Sequence, residues 1–208
     1  MIINEKLIKD TLDRLNYKIF TRNFELNIIG IRNKDSKINV FNDKIVVFYY
    51  YDKQEYWHIY NATTKPGLYW LNNLINPKGT AILVPGQYID VYKIGLHRGE
   101  YEALIQRDVV KVYRDNNHDS VIDYFNVEEG YFGINIHRRN KFSISNYINR
   151  SSAGCQVFEY YNNFNEFMTM ADVHRNLYGN GFTYTLIEEK DLYIIDTDNL
   201  KPRPIGKV

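Results

Sequence analysis

Across its 208 residues the chain has one cysteine, 5 prolines and 12 glycines, almost no excess of either charge, and no apolar run long enough to cross a bilayer. Each shortage excludes something. A single thiol cannot close an intrachain disulfide, and a structural zinc cluster needs more thiolates or a tight histidine set that is missing here. Cys155 is therefore either an inert packing residue or a reactive thiol. With 26 Lys and Arg against 25 Asp and Glu, the formal charge of +1 gives no global attraction to nucleic acid or to an anionic membrane. Any charged site has to be local, and no nucleic-acid partner, cofactor or metal ion is implied. The segment from Met1 to Phe20 has no basic start, no apolar stretch of signal length and no small-residue cleavage site. The expected product is made in the host cytoplasm without a signal peptide and does not insert into a membrane.

What the chain has in abundance is aromatic: 19 tyrosines and 11 phenylalanines, alongside many β-branched residues. These favour strands over helices. Leu7, Ile8, Leu12 and Leu15 recur at helical spacing, which predicts a short N-terminal helix within residues 1–23. Strands are predicted at Phe24 to Ile31, Lys44 to Tyr51 and Tyr56 to Tyr60, with a turn at Asp52-Lys53-Gln54. Further strands are predicted at Thr80 to Val84, Val91 to Gly95, Ala103 to Gln106, Val109 to Tyr113 and Phe132 to His137, punctuated by turns at Pro85-Gly86 and Asp115 to Asp119. The apolar positions Phe164, Phe167, Met168, Ala171 and Leu177 fit a helix ending near Tyr178, followed by strands at Phe182 to Ile187 and Leu192 to Ile195. The fold class this implies is α+β, predominantly β, a mixed sheet or sandwich with a short N-terminal and a C-terminal helix. One main domain spans 24–200, with an irregular tail at 201–208.

The chemistry is concentrated late in the chain. Gly133-Ile134-Asn135-Ile136-His137-Arg138 leads into a polar loop from Arg139 to Arg150, and then to Ser151-Ser152-Ala153-Gly154-Cys155-Gln156. An imidazole that takes a thiol proton makes the thiol a nucleophile, provided the ring is itself oriented by a hydrogen bond. Small residues ahead of the cysteine let the backbone turn tightly and present amides to a developing oxyanion. This stretch resembles the catalytic motif of the L,D-transpeptidases (YkuD-like fold), in which a histidine precedes, by a comparable separation, a Ser-His-Gly-Cys element. Upstream, Thr63-Thr64-Lys65-Pro66-Gly67-Leu68-Tyr69 is similar to that family's Thr-Pro-x-Gly-x-[Phe/Tyr] turn.

The resemblance implies Cys155 as nucleophile, His137 as general base, Gly154 as part of the oxyanion-hole backbone, and the Arg138 carbonyl as the group orienting the imidazole. The chain departs from the pattern at Ala153, where the family has its second histidine, at Gln156 in place of an arginine, and at Arg138 in place of a glycine. His97 is the candidate replacement for the missing histidine, and Arg98, Ser152, Ala153 and Gln156 are candidate substrate-binding or supporting residues. Arg98, Arg107, Arg114, Arg138, Arg139 and Arg150 flank this stretch, some as candidate anchors for stem-peptide carboxylates, the alternative being a set of solvated strand-end charges. Asp115-Asn116-Asn117-His118-Asp119 with Asp123 offers alternating oxygens in the manner of a calcium loop. The glycine and terminal glutamate of such a loop are absent, and a hairpin turn explains the same residues.

The implied partners are peptidoglycan stem peptides. Lack of an export signal, with the Asn-, Ile-, Lys- and Tyr-rich composition of an AT-rich genome, points to a phage lysin or virion-associated wall enzyme. The alternative is a catalytically inactive virion or tail-associated structural module that keeps the fold and contacts other virion proteins.

Overall fold

A computed structural model describes residues 3–35, 37–142 and 145–193. Eight strands close into a barrel: β1 (Asn27–Arg32), β2 (Asp43–Tyr51), β3 (Gln54–Thr63), β5 (Gly86–His97), β6 (Tyr101–Gln106), β9 (Ile136–Arg138), β10 (Gln156–Phe158) and β11 (Phe182–Glu188), in the order β1-β11-β5-β6-β9-β10-β3-β2. The β1/β11 and β9/β10 pairs are parallel and the others antiparallel. A separate sheet holds β4 (Thr80–Leu83), β7 (Val110–Asp115) and β8 (Glu128–Gly130) in the order β4-β7-β8. The protein is thus mostly β, as composition implies, but the main sheet is closed on itself and is not an open sheet or sandwich. Closure comes from β11 pairing with β1, a contact between opposite ends of the chain that removes both free edges.

Local chemistry explains most boundaries. The β2–β3 hairpin turns on Asp52 and Lys53, both at positive φ, with Tyr51 opposite Gln54; this is the two-residue turn whose twist matches the flanking strands. Phe48 stacks on Trp57 at 4.1 Å and Tyr49 on Tyr56 at 5.4 Å, so cross-strand aromatic pairs fix the register. The N-terminal helix α1 (Glu5–Arg14) is capped by Asn4, whose side chain accepts from the Leu7 amide. Its Ile8 and Leu12 pack with Ile29, Ile31, Val46, Phe48 and Ile187 on the outside of the barrel, which is why every residue of β1 is buried. The helix docks on the barrel as its apolar stripe requires. A short helix α2 (Leu68–Asn72) follows Gly67, and the long helix α3 (Tyr161–Tyr178) packs Phe164, Phe167 and Ala171 onto the barrel core beside Tyr60, Phe158 and Tyr184.

Three predicted elements come out differently, and three short elements form that were not predicted. Of the predicted Phe132 to His137 strand only Ile136 and His137 join the sheet, in a strand that runs on to Arg138, because the amides of Phe132 and Ile134 both donate to the Gln106 side chain (3.1 Å each). Gln156–Phe158, β8 and α2 form without a clear periodic signal, being too short to show one. Glu189–Tyr193 is a 3-10 helix where a strand is predicted from Leu192; Ile194 and Ile195, like the tail 201–208, lie outside the described residues. Asp115 ends β7 and starts a long connection to β8, not a tight hairpin. Its oxygens are used internally, Asp115 and Asp119 accepting from the amides of Asp123 and Val121, and Asn117 donating to Asp119 and Asp123.

Candidate active site

The parallel pairing of β9 with β10 sets Gln156 opposite Ile136 and Val157 opposite His137. Side chains alternate along a strand, so Ile136, Gln156 and Phe158 face the barrel interior. Cys155, Val157 and His137 are on the outer face. His137 and Cys155 are therefore diagonal neighbours, and both line a cleft of about 390 Å³ with His97, Asn135, Ala153 and Trp70. A second cleft, of about 450 Å³, meets the first at His97, Arg98, His137 and Ser151.

The protonation of both histidines follows from their partners. His137 Nδ1 lies 2.7 Å from the main-chain carbonyl of Arg138, which can only accept, so Nδ1 carries the hydrogen. Its Nε2 then holds a free lone pair, with no hydrogen-bond partner among the described residues. Tyr101 braces the same corner, its phenol donating to the Arg138 carbonyl (3.1 Å) and lying 3.3 Å from His137 Nδ1. The Asn135 side chain accepts from the Gln106 amide through Oδ1 (2.9 Å), so its Nδ2 donates to His97 Nδ1 (3.0 Å). His97 must carry its proton on Nε2. It reaches His137 although β6 separates β5 from β9, because it sits at the tip of the β5–β6 hairpin, beside the turn at Arg98 and Gly99. The two imidazoles stack at 4.0 Å with planes 23° apart.

Both rings are neutral. Burial, followed by the neighbouring His97, pushes His137 down to about 3, against the opposing effect of its bond to the Arg138 carbonyl. Burial, followed by the Arg98 charge, pushes His97 down to about 4. Burial pushes the Cys155 thiol up, while the Asn135 amide opposes it. The thiol is 9% exposed, donates to the Gly133 carbonyl and accepts from the Asn135 amide, each at 3.4 Å. The resting pair is a neutral thiol and a neutral imidazole.

The turn before Cys155 is held from several sides. Ser152 Oγ donates to the Cys155 carbonyl (2.8 Å) and accepts from the Gly154 amide (3.1 Å). Gly154 has φ +120°, and a Cβ there would stand 2.2 Å from the Ala81 carbonyl oxygen of β4. Gln156 points inward, donating to the Gly154 carbonyl (3.1 Å) and accepting from the Tyr184 phenol (2.9 Å). Ser152 and Gln156 therefore support the turn and do not line the cleft, whereas Ala153 does. The Gly154 amide, predicted to face an oxyanion, is turned to Ser152. The upstream Pro66-Gly67 segment joins the same region: the Gly67 amide donates to the Ser152 carbonyl (2.9 Å), and a Cβ on Gly67 would meet the Asn149 carbonyl oxygen at 2.0 Å.

The predicted arginines divide. Arg98, Arg138, Arg139 and Arg150 line the second cleft with Lys141, and among the described residues Glu100 is the acidic one that lines it. Arg98, Arg138 and Arg150 make no ion pair among the described residues; Arg138 lies over Tyr101 and Arg150 over Tyr69, each at 3.9 Å. Arg114 lines the first cleft but is held by Glu128 (2.8 Å). Arg107 is not at the site, because it binds Asp90 and the Asn180 carbonyl at the far end of the β5–β6 pair. Tyr101 and Asn135 join the candidate site, and the motif reading misses both. Asn135, just ahead of β9, stands two residues before His137 and so on the same side of an extended segment, which is the available signal.

No protein-family model, curated protein or solved structure matches the chain. No helix among the described residues is long and apolar enough to cross a membrane.

Proposed function

We propose that this protein is a peptidoglycan-active cysteine enzyme of the L,D-transpeptidase type, with a divergent YkuD-like fold, acting as a phage lysin or virion-associated wall enzyme. The observation that carries the reading is the imidazole of His137, held by the carbonyl of the next residue so that Nε2 is free, in the same cleft as Cys155. In the reaction Nε2 takes the proton from Cys155 Sγ as the sulfur bonds to a stem-peptide carbonyl carbon. The amide of Cys155 receives the oxyanion, since the Gly154 amide is held by Ser152. The C–N bond then breaks and the leaving amine takes the proton from His137. An amine or water gives its proton to His137, attacks the thioester and releases Cys155 as a thiol, cross-linking in the first case and hydrolysing in the second. Arg98, Arg138, Arg139, Lys141 and Arg150 in the second cleft match the carboxylates of stem peptides.

Two observations favour a second reading, an inactive virion structural module with the same fold: the Cys155 thiol is bonded to the Gly133 carbonyl and not to His137, and Ala153 stands where the family has a histidine. Purified cell wall incubated with wild type and with Cys155→Ala, followed by mass spectrometry of the muropeptides, decides between them. New cross-linked or shortened stems with wild type alone support the enzyme. Identical products from both proteins sink the thiol mechanism, and unchanged wall in both supports the structural module.

A further inference from the structure

A third cavity, of about 290 Å³, lies where the ends of β1 and β11 meet the loops after β1, β3 and β7, and it shares no lining residue with either cleft of the candidate active site. Arg32 stands in its wall, 1% exposed. Its Nε donates to Thr64 Oγ1 (3.1 Å), and its Nη2 donates to the carbonyls of Thr64 (3.0 Å) and Leu83 (2.8 Å). Nη1 is buried with no partner, and no carboxylate pairs with this guanidinium among the described residues. A buried cation normally carries a directly paired anion, because removing it from water otherwise costs several kcal/mol.

The cavity walls add to this positive charge. Lys34, Lys37, Lys65 and Lys190 line it against Asp35 and Glu188. Lys190 is neutralised by Glu188, and Lys65, 3% exposed, by Asp43 (3.4 Å) behind the wall. Lys34 and Lys37 are exposed and make no ion pair among the described residues. The Tyr124 ring faces the guanidinium at 5.8 Å. Three cations with no carboxylate partner among the described residues thus line one cavity, one of them a buried guanidinium whose Nη1 has no hydrogen-bond partner. That geometry suits an oxyanion.

We propose that this cavity is a binding site for a small multivalent oxyanion, a phosphate group or a cluster of carboxylates, held by Arg32 and capped by Lys34 and Lys37. Titration of the whole protein by calorimetry with inorganic phosphate and separately with citrate, against sodium chloride at matched ionic strength, tests it. Saturable binding of either anion is expected, with phosphate or citrate alone identifying which oxyanion the site prefers. Affinity is expected to fall by at least about tenfold in Lys34→Ala/Lys37→Ala, whose substitutions are exposed and leave the core intact. Arg32→Met is expected to abolish binding, and if it fails to fold, the lysine variant still decides. Heats indistinguishable from chloride, or equal affinity in the double variant, overturn the proposal. Non-saturating stabilisation shared by wild type and variant is general salt exclusion and overturns it too.

Discussion

The His97 ring lies flat against the His137 ring, 4.0 Å between centroids, and each holds a different tautomer because Asn135 donates to one and the Arg138 carbonyl accepts from the other. A residue two strands away from His137 thereby joins the cleft that Ala153 also lines. His97→Ala removes this wall and one of the influences that keep His137 deprotonated. On the proposed function, kcat for wall turnover is expected to fall by about tenfold or more, on the scale of losing one positioning contact. The acid limb of the pH–rate profile is expected to move to higher pH as His137 becomes easier to protonate. An unchanged acid limb would show that the stack has no electrostatic effect on the base.

Acid stability follows from the same pair. Both histidines titrate in the folded protein well below the usual value of 6.5, near 3 and 4, so between those values and 6.5 the unfolded chain binds more protons than the folded one. Stability therefore rises with pH in that window, is complete above about 6.5 and is lost as pH falls through it. Urea denaturation between pH 7 and pH 4 is expected to show a loss on the order of 6 kcal/mol from the two shifts together, with a shallower slope in His97→Gln. Equal slopes in the two proteins would place the acid sensitivity elsewhere.

Cys155 titration gives a direct reading of the resting thiol. Burial raises it, and its proton is given to the Gly133 carbonyl, so alkylation by iodoacetamide is expected to be slow at neutral pH and to accelerate above the ordinary thiol range. A substrate-like stem peptide that draws the thiol toward His137 is expected to change this rate. Fast alkylation of the free protein below pH 7 would mean a preformed thiolate, contrary to the neutral pair described here.

How much of this was legible in the sequence depends on range. The β2–β3 hairpin is written locally in Asp52-Lys53 and alternating aromatics, and α1 and α3 in their apolar spacing, so these are readable without the fold. Barrel closure is not, because it depends on β11 meeting β1 across most of the chain length. The site divides the same way. His137, Cys155 and the small residues before it form a readable local pattern, whereas His97 joins them only through the position of the β5–β6 hairpin. Tyr101 has no local signal because its role depends on where a hairpin tip lands relative to a carbonyl on the adjacent strand, far away in the chain. Gln156, adjacent to the cysteine, looked like a site residue, but strand alternation turns it inward to Tyr184.

Tyr101 tests whether the carbonyl of Arg138 is the working group at that position. Its phenol, pushed up to about 12 mainly by burial, stays protonated across the working range and donates to that carbonyl. Tyr101→Phe removes one hydrogen bond from the corner that orients His137, and a fall of about tenfold in kcat with little change in KM is expected. Arg138→Lys keeps the main chain and is expected to retain the orienting bond and most of the kcat. If Arg138→Lys lost activity as fully as Cys155→Ala, the arginine side chain, not its carbonyl, would be the essential group.

Gly154 is the strictest position in the site. Its φ of +120° is one that side-chain-bearing residues rarely adopt, and an added methyl group would stand 2.2 Å from the Ala81 carbonyl oxygen and 3.0 Å from Ile134. β4 cannot yield easily, since Ala81 is paired in register with Arg114 and the neighbouring Thr80 donates through Oγ1 to the Trp70 carbonyl (2.6 Å). Gly154→Ala is therefore expected to cost about 3 kcal/mol or more in urea denaturation, combining backbone strain with displacement of a paired strand. Ala153→Gly, one residue earlier at the half-buried cleft wall, has no such contact to relieve and is expected to change stability by less than about 1 kcal/mol. If the two substitutions proved equally mild, the turn ahead of Cys155 would have to be looser than the close approach of Gly154 to Ala81 implies, and the cysteine correspondingly free to move toward His137.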